Sequence, residues 1–250
     1  HFAGALQTGF MQNKAGVFVG GMQFGIRGNE AKRFVGLAQI TPGFNDTESF
    51  AGGAQLLAVN KAKHFAGGAQ VGVFNLAEHD FMGGAQVGLA SVAARDFAGI
   101  AQVSVLNLID RGTFRGVAQV GSLNIVDQEF QGVAQIGEVN LFGRFRGVVQ
   151  AGIFNWVGDK APRDFVTERK NASDADFQGV AQLGLVNGVA HGFDGVAQLG
   201  LVSSANGDFR GVVQGGYLVA RTSGDFHGVA QIGAYTQIRG TQHGFAQIGV

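Results

Sequence analysis

Apolar and polar positions alternate along short segments of this chain, and the segments recur about every 16 residues. In the segment 114–121, Phe, Gly, Ala and Val alternate with Arg, Val, Gln and Gly. Alternation with a period of two places successive side chains on opposite faces of a β-strand. Each segment carries two or more glycines, and a helix would lose about 1 kcal/mol at each one relative to alanine. The pattern therefore predicts strands and no helices.

The recurring unit reads F-x-G-V-A-Q-V-G-x-L-N-x-V, followed by three or four turn residues. We number positions within each copy from its glutamine, which is position 0. The glutamines are Gln7, Gln23, Gln39, Gln55, Gln70, Gln86, Gln102, Gln119, Gln135, Gln150, Gln182, Gln198, Gln214, Gln231 and Gln247. Position −3 is glycine in all fifteen copies and position −5 is phenylalanine in fourteen. Such regular self-similarity is typical of repeat architectures.

The two faces of the predicted strand differ in how much their residue types vary from copy to copy. Position −4 is Arg115 in one copy, Asp194 in another and His227 in a third, so that face is expected to contact water. The phenylalanine face, which by strict alternation also carries Ala118 and Val120, is then predicted to be the core. By the same alternation, the glutamine is predicted to point outward between a valine and a glycine. Asparagine recurs at position +5, where a short polar side chain can tolerate the left-handed αL backbone conformation or hydrogen-bond along a corner.

A unit of 16 residues fits two architectures. If it holds two short strands and two turns, each copy is one coil of a β-solenoid, stacked on the last at about 4.8 Å. If it holds one long strand, the copies form an antiparallel meander that closes into a β-barrel, possible in an outer membrane. Neither face is uniformly apolar, and the chain has only 1 Trp and 2 Tyr for aromatic girdles. We therefore expect one all-β solenoid domain over residues 1–250, with about 15–16 coils of 15–17 residues.

The segments "GVAQVGSLN", "GVAQIGEVN" and "GVAQLGLVN" resemble bacterial surface-repeat proteins built from G-x-Q-x-G-x-x-N units. The chain departs from that pattern by the central "VAQ" and by its regular phenylalanine. A weaker similarity is to curli-type amyloid subunits, whose units also carry Q-x-G-x-x-N but hold the glutamine inside. Both resemblances imply an exported, surface or fibrous protein and no catalysis, so the expected localisation is extracellular or at the cell surface.

Composition narrows the classes of partner. Lys plus Arg and Asp plus Glu number 18 each, so the net charge is zero and no basic surface for nucleic acid is indicated. The chain has no cysteine, which excludes disulfides and thiolate metal sites. Histidines and carboxylates are scattered over different copies. The sequence therefore predicts no enzyme, no cofactor, no metal site and no small-molecule substrate.

The first candidate site is the glutamine row, interpreted as an outward, flat Val–Gln–Gly surface. It would dock another copy, a surface glycan or another envelope protein, and the alternative is a ladder in which each amide bonds to the next. The candidate residues are Gln102, Gln119, Gln135, Gln150, Gln182, Gln198, Gln214 and Gln231. Position −2 adds to this surface, because from Ile100 to Val229 it is always Ile or Val. A contiguous apolar stripe of that length indicates a packing partner.

The second candidate site is the double step between Gln150 and Gln182. Residues 155–176 are interpreted as a charged loop or a degenerate coil, and an inserted loop on a solenoid is often a binding site. Its candidate contact residues are Trp156, Arg163 and Arg169.

The function expected from these observations is a structural or adhesive surface protein that assembles with itself into a filament or array. The proposed contacts are the Val–Gln–Gly face and the ends of the solenoid, whose strand edges lack a polar cap and invite pairing. The alternative function is an outer-membrane β-barrel. A more remote one is a solenoid that binds or cleaves polysaccharide.

Overall fold

The computed structural model describes residues 1–158 and 176–249, and it is all-β, without helix among those residues. Contacts divide the chain into two compact units, His1–Ser122 and Leu123–Val250. Each unit is a parallel β-solenoid, and the two hold about 14 turns in total. The predicted fold class is therefore confirmed. No helix within the described ranges is long and apolar enough to cross a membrane.

The first unit contains eleven strands. They are β1 Phe2–Gly9, β2 Gln12–Gly25, β3 Gly28–Ile40, β4 Phe44–Leu56, β5 Val59–Val71, β6 Phe74–Ala77, β7 Phe81–Ala93, β8 Phe97–Ala98, β9 Ala101–Ile109, β10 Thr113–Arg115 and β11 Ala118–Val120.

The second unit contains thirteen strands within its described residues. They are β12 Leu123–Gln131, β13 Ala134–Arg146, β14 Val149–Val157, β15 Phe177–Gln178, β16 Ala181–Val189, β17 Phe193–Asp194, β18 Ala197–Ala205, β19 Phe209–Arg210, β20 Val213–Thr222, β21 Phe226–His227, β22 Ala230–Ile238, β23 Gln242–His243 and β24 Ala246–Ile248.

Neighbouring copies run parallel and pair like residue with like. In the first unit Phe2 pairs with Phe18, and in the second Gln182 pairs with Gln198. The antiparallel meander that the sequence left open is wrong, because every pairing reported within each unit is parallel. Parallel in-register stacking requires each copy to match its neighbours, which explains why the copies agree so closely.

In the second unit each coil bends between its phenylalanine strand and its glutamine strand, and this bend overturns the predicted faces. In the coil of Gln198, β17 ends at Asp194 and β18 begins at Ala197, so a corner lies at Gly195 and Val196. The carbonyl of Val180 accepts the N–H groups of both Val196 and Ala197 at this corner. The bend shifts the alternation by one residue. Positions −5 and 0 therefore both point inward, although they are five residues apart.

The interior consequently holds one aromatic row and two amide rows. Phenylalanine at position −5 is buried in both units, as predicted, and so are the glutamines and the asparagines. Positions −1 and +1 face outward, so the prediction that Ala118 and Val120 belong to the core is wrong. A fourth inward row near position +7 completes the interior with Ala, Ile, Val or Thr and, at Phe142, a further aromatic ring.

Two glycine positions keep space for this interior. At Gly195, a Cβ would lie 2.9 Å from Cζ of Phe193, because the ring folds back over position −3 of its own copy. At Gly184, a Cβ would lie 2.5 Å from Nδ2 of Asn155 and closer still to the carbonyl oxygen of Gly152. Side chains at positions −3 and +2 would push neighbouring coils apart.

The double step does not separate its two flanking copies. Val149–Val157 pairs directly with Ala181–Val189, so Gln150 is adjacent to Gln182 and Asn155 to Asn187. The turn count is therefore lower than the 15 to 16 coils predicted. Arg163 and Arg169, two of the proposed loop contacts, lie outside the described residues.

Candidate interaction face

The glutamine row is buried in both units, so the predicted outward Val–Gln–Gly surface is wrong. All eight candidates have side chains with no exposed surface. The reason is the corner at positions −3 and −2, which turns position 0 inward. The eight glutamines that were predicted to face outward and are buried instead are Gln102, Gln119, Gln135, Gln150, Gln182, Gln198, Gln214 and Gln231.

The buried glutamines form amide ladders along the stack. From Gln7 to Gln119, each Nε2 donates to Oε1 of the preceding copy at 2.7–2.9 Å. The second unit repeats the arrangement from Gln150 to Gln247 at 2.8–3.0 Å. Some glutamines also reach the opposite wall, as Gln198 does when its Nε2 donates to the carbonyl of Ser204 at 3.3 Å. The glutamine recurs because a buried amide needs a matching amide on either side.

The asparagines form a second ladder of opposite polarity. Nδ2 of Asn140 donates to Oδ1 of Asn155 in the following copy at 2.7 Å, whereas each glutamine donates to the preceding copy. The same Nδ2 donates to the carbonyl of Ala151 at 2.9 Å. The predicted hydrogen bonding by the asparagine is therefore confirmed, although strand β13 runs through Asn140 without a break. The side-chain amide dipoles of the glutamine row point in one direction along the stack, and those of the asparagine row point in the opposite direction. The dipoles of the two rows therefore partly cancel.

Sequence reasoning missed three members of this ladder. Asn13, Asn29 and Asn45 lie six residues after their glutamines rather than five, yet they bond in the same row at 2.8–3.0 Å. The shared signal is a small residue two positions later, such as Ala31 after Asn29 or Ala62 after Asn60.

Phenylalanine rings stack face to face inside each unit. From Phe2 to Phe114 the ring centroids are 4.7–5.1 Å apart and the planes within 6° of parallel. From Phe130 to Phe226 the separations are 4.6–5.1 Å. This spacing follows the strand separation of a parallel sheet, about 4.8 Å.

The outward side of the glutamine strands is a flat apolar surface. We call it the valine face and define it by positions −2, −1, +1 and +3 of each copy. In the second unit position −2 is valine from Val133 to Val229, with 45–48% of each side chain exposed. Position +1 is also exposed, for example 47% at Ile136 and 39% at Leu199. The apolar stripe predicted at position −2 is confirmed, and positions +1 and +3 widen it.

Charge is rare on this face and common beside it. In the second unit, positions −2, −1 and +1 hold no charged residue, and Glu138 is the one charged residue at position +3. The adjacent column at position −4 is polar and exposed, with Arg146, Asp194, Arg210 and His227. In this unit the valine face is thus an apolar strip with a single charge and a polar border, the arrangement typical of a protein interaction surface.

Other outward columns carry ion pairs and histidine pairs. Lys61 contacts Glu78 at 2.9 Å, and this hydrogen bond raises the pKa of Lys61, opposed by desolvation and aided by the charge of Asp46. Exposed pairs of this kind contribute at most about 1 kcal/mol. His227 stacks on His243 with centroids 4.6 Å apart, although the sequence places them in different copies. No group of three or more metal-ligating side chains occurs among residues 1–158 and 176–249.

The remaining candidate, Trp156, does not lie in an exposed loop. It belongs to β14 and is only 7% exposed, with its ring against Gly188 of the next copy. The prediction that it is a loop contact is wrong, because strand β14 continues through Trp156 to Val157.

Comparisons of the chain with protein-family models, with curated proteins and with solved structures found no match.

Proposed function

We propose that this chain is a structural repeat protein whose solenoid units associate side by side through the valine face. One observation carries the proposal. The phenylalanine, glutamine and asparagine that recur in the copies are buried inside, whereas the residues that recur at positions −2, −1 and +1 of the second unit are outward, apolar and uncharged.

A recurring interior residue needs no partner outside the chain, since stacking explains it. Stacking does not explain a recurring exposed valine, because a polar residue at the same position would allow the coils to stack equally well. Leaving about 46% of each valine in water forgoes hydrophobic stabilisation of about 25 cal/mol per Å². A partner that covers the face recovers this free energy.

The zero net charge of the chain supports association with itself. Copies with no net charge do not repel one another, and a neutral surface promotes association. The proposed setting, outside the cell or on its surface, rests on the resemblance to surface-repeat proteins. The proposal assigns the chain no catalytic role.

Sedimentation velocity over a concentration series tests the proposal. The parent chain should show a rising weight-average mass. Val229→Asp should abolish the rise, because a charge on the face would be buried without a partner. His227→Asp is the matched control, since it adds the same side chain two residues away on the polar border and should leave association intact. A parent chain that stays monomeric at all concentrations would refute the proposal.

A further inference from the structure

The two outward positions that flank each glutamine show a size rule in the second unit. In every copy, one of positions −1 and +1 is Ala or Gly and the other is Val, Leu or Ile. The pairs are Ala134/Ile136, Val149/Ala151, Ala181/Leu183, Ala197/Leu199, Val213/Gly215, Ala230/Ile232 and Ala246/Ile248.

Two of the seven pairs are reversed. Val149 takes the position that is alanine in the copies on either side, and its partner Ala151 lies between Ile136 and Leu183 in the neighbouring copies. Val213 and Gly215 repeat the reversal. If both positions contacted only water, a large residue at one of them would not require a small residue at the other. The rule therefore indicates that something packs against both columns at once.

We infer that the valine face of the second unit packs against the same face of a second copy of this chain, with the two copies parallel and related by a two-fold axis along the stack of coils. This inference rests on the proposed function and adds the partner and its orientation.

The geometry follows from placing that axis over the glutamine row. The rotation then sets position −1 of each coil opposite position +1 of the same coil in the partner. Val149 faces Ala151 of the second copy, and Val213 faces Gly215. Each Ile or Leu at position +1 faces the alanine at position −1 of the same coil in the second copy. Large opposes small in all seven coils, so ridges enter grooves, as close packing requires.

The other way of placing two such faces together fails this size test. A two-fold axis across the coils would make the copies antiparallel and set position +1 against position +1. Ile and Leu would then oppose Ile and Leu, while alanine would oppose alanine. Gaps beside the alanines would forfeit dispersion contacts.

The reversed pairs also fix the register. If one copy slid by a single coil, Val149 would oppose Leu183 or Ile136 of its partner instead of an alanine. The unshifted two-fold arrangement avoids this contact. At one of the two reversed pairs, packing within the chain also favours the small residue, because a Cβ on Gly215 would lie 2.9 Å from Cδ2 of Leu199. The test therefore uses Val149 and Ala151.

The area of the face sets the strength of the contact. Positions −2 to +3 over seven coils cover on the order of 500 Å² at usual strand dimensions. A standard interface buries about 800 Å² per partner, so this dimer should form and dissociate with concentration.

A size-swap series tests the arrangement by sedimentation velocity. Ala151→Val sets valine against Val149 of the partner and should raise the dissociation constant about tenfold or more. The double variant Val149→Ala with Ala151→Val restores small against large and should return it to within about twofold of the parent. Both positions face outward, so the thermal unfolding midpoints of the variants should match the parent. If Ala151→Val dimerises as tightly as the parent, or if the double variant fails to recover, the arrangement is overturned.

Cross-linking gives a second measurement that does not depend on those variants. The chain has no cysteine, so introduced thiols are unambiguous. The substitutions are placed in the coil of Gln198, the central one of the seven, because only that coil would meet itself in a fully overlapped antiparallel pair. With a short bis-maleimide, a mixture of Ala197→Cys and Leu199→Cys chains should link faster than either variant alone. Faster linking of Leu199→Cys with itself would show the antiparallel arrangement. A parent chain that binds neutral lipid vesicles but never dimerises would remove both this inference and the proposed function. Self-association with the wrong linking pattern would remove only the inference.

Discussion

Gln198 donates its Nε2 to Oε1 of Gln182 at 2.8 Å, and both side chains are fully buried. The same contact recurs from Gln7 to Gln119 in the first unit and from Gln150 to Gln247 in the second. It explains why glutamine is kept in every copy without assigning it any external ligand. The surface proposed to bind a partner is the opposite side of the same strand, where apolar side chains alternate with the buried amides.

Removal of one ladder amide should cost stability. Gln198→Ala leaves Gln182 Oε1 and Gln214 Nε2 facing a gap, and each unsatisfied buried group costs about 1–3 kcal/mol. We expect the free energy of unfolding, measured in urea, to fall by about 2–4 kcal/mol. The control is Val196→Ala in the same coil, which should change it by less than about 1 kcal/mol because the side chain is 47% exposed. Equal effects at the two sites would show that the glutamine points to solvent.

A carboxyl group in the ladder should make stability depend on pH. In Gln198→Glu, burial disfavours the ionised form and raises the pKa of the new carboxyl above its unfolded value of about 4.3. The protonated acid can donate to Gln182 and accept from Gln214, as glutamine does. Stability should therefore be highest at low pH and fall as the pH rises through the folded-state pKa. Urea midpoints of the variant and the parent, compared from pH 3 to pH 8, measure this, and a flat difference would contradict it.

The phenylalanine row should be the most costly to interrupt. Phe193 stacks between Phe177 and Phe209 at 4.6 Å and 4.9 Å. Phe193→Ala leaves a cavity and should lower the free energy of unfolding by about 3–5 kcal/mol. The adjacent exposed residue supplies the control, since Asp194→Ala should change it by less than about 0.5 kcal/mol. A loss below about 1 kcal/mol at Phe193 would be incompatible with a packed interior row.

Two glycines on glutamine-bearing strands, Gly184 of β16 and Gly215 of β20, should respond differently to alanine. Gly184→Ala directs a methyl group at the carbonyl of Gly152 and at Nδ2 of Asn155, which the backbone cannot avoid. We expect a loss of about 1–3 kcal/mol, as for other overpacked sites. Gly215→Ala meets only the flexible end of Leu199 and should be nearly neutral. Thermal unfolding of the two variants side by side measures the difference, and reversal of the order would contradict the described packing.

The solenoid could be predicted from the sequence because its cause is local and repeated. The period, the glycines and the buried phenylalanines such as Phe130 all follow from strand alternation and from the tolerance of position −4. Like residues stack because each coil buries its apolar surface only against its neighbours.

The direction of the glutamine could not be obtained from alternation alone. Alternation assumes a straight strand, whereas Gly195 and Val196 form a corner that shifts the phase by one residue. Alternation predicts that the valine at position −2 faces outward, and it does so because it lies on that corner. The same assumption predicts that positions −1 and +1 face inward, whereas in the structure they face outward.

In the ladder from Gln182 to Gln231 the glutamine amides are buried and bonded from coil to coil. Hydrogen exchange of the Gln side-chain Nε2 protons, followed by ¹⁵N-edited NMR, measures this burial and bonding. These amides should exchange orders of magnitude more slowly than free glutamine amide. Exchange at the free rate in the folded chain would contradict this prediction.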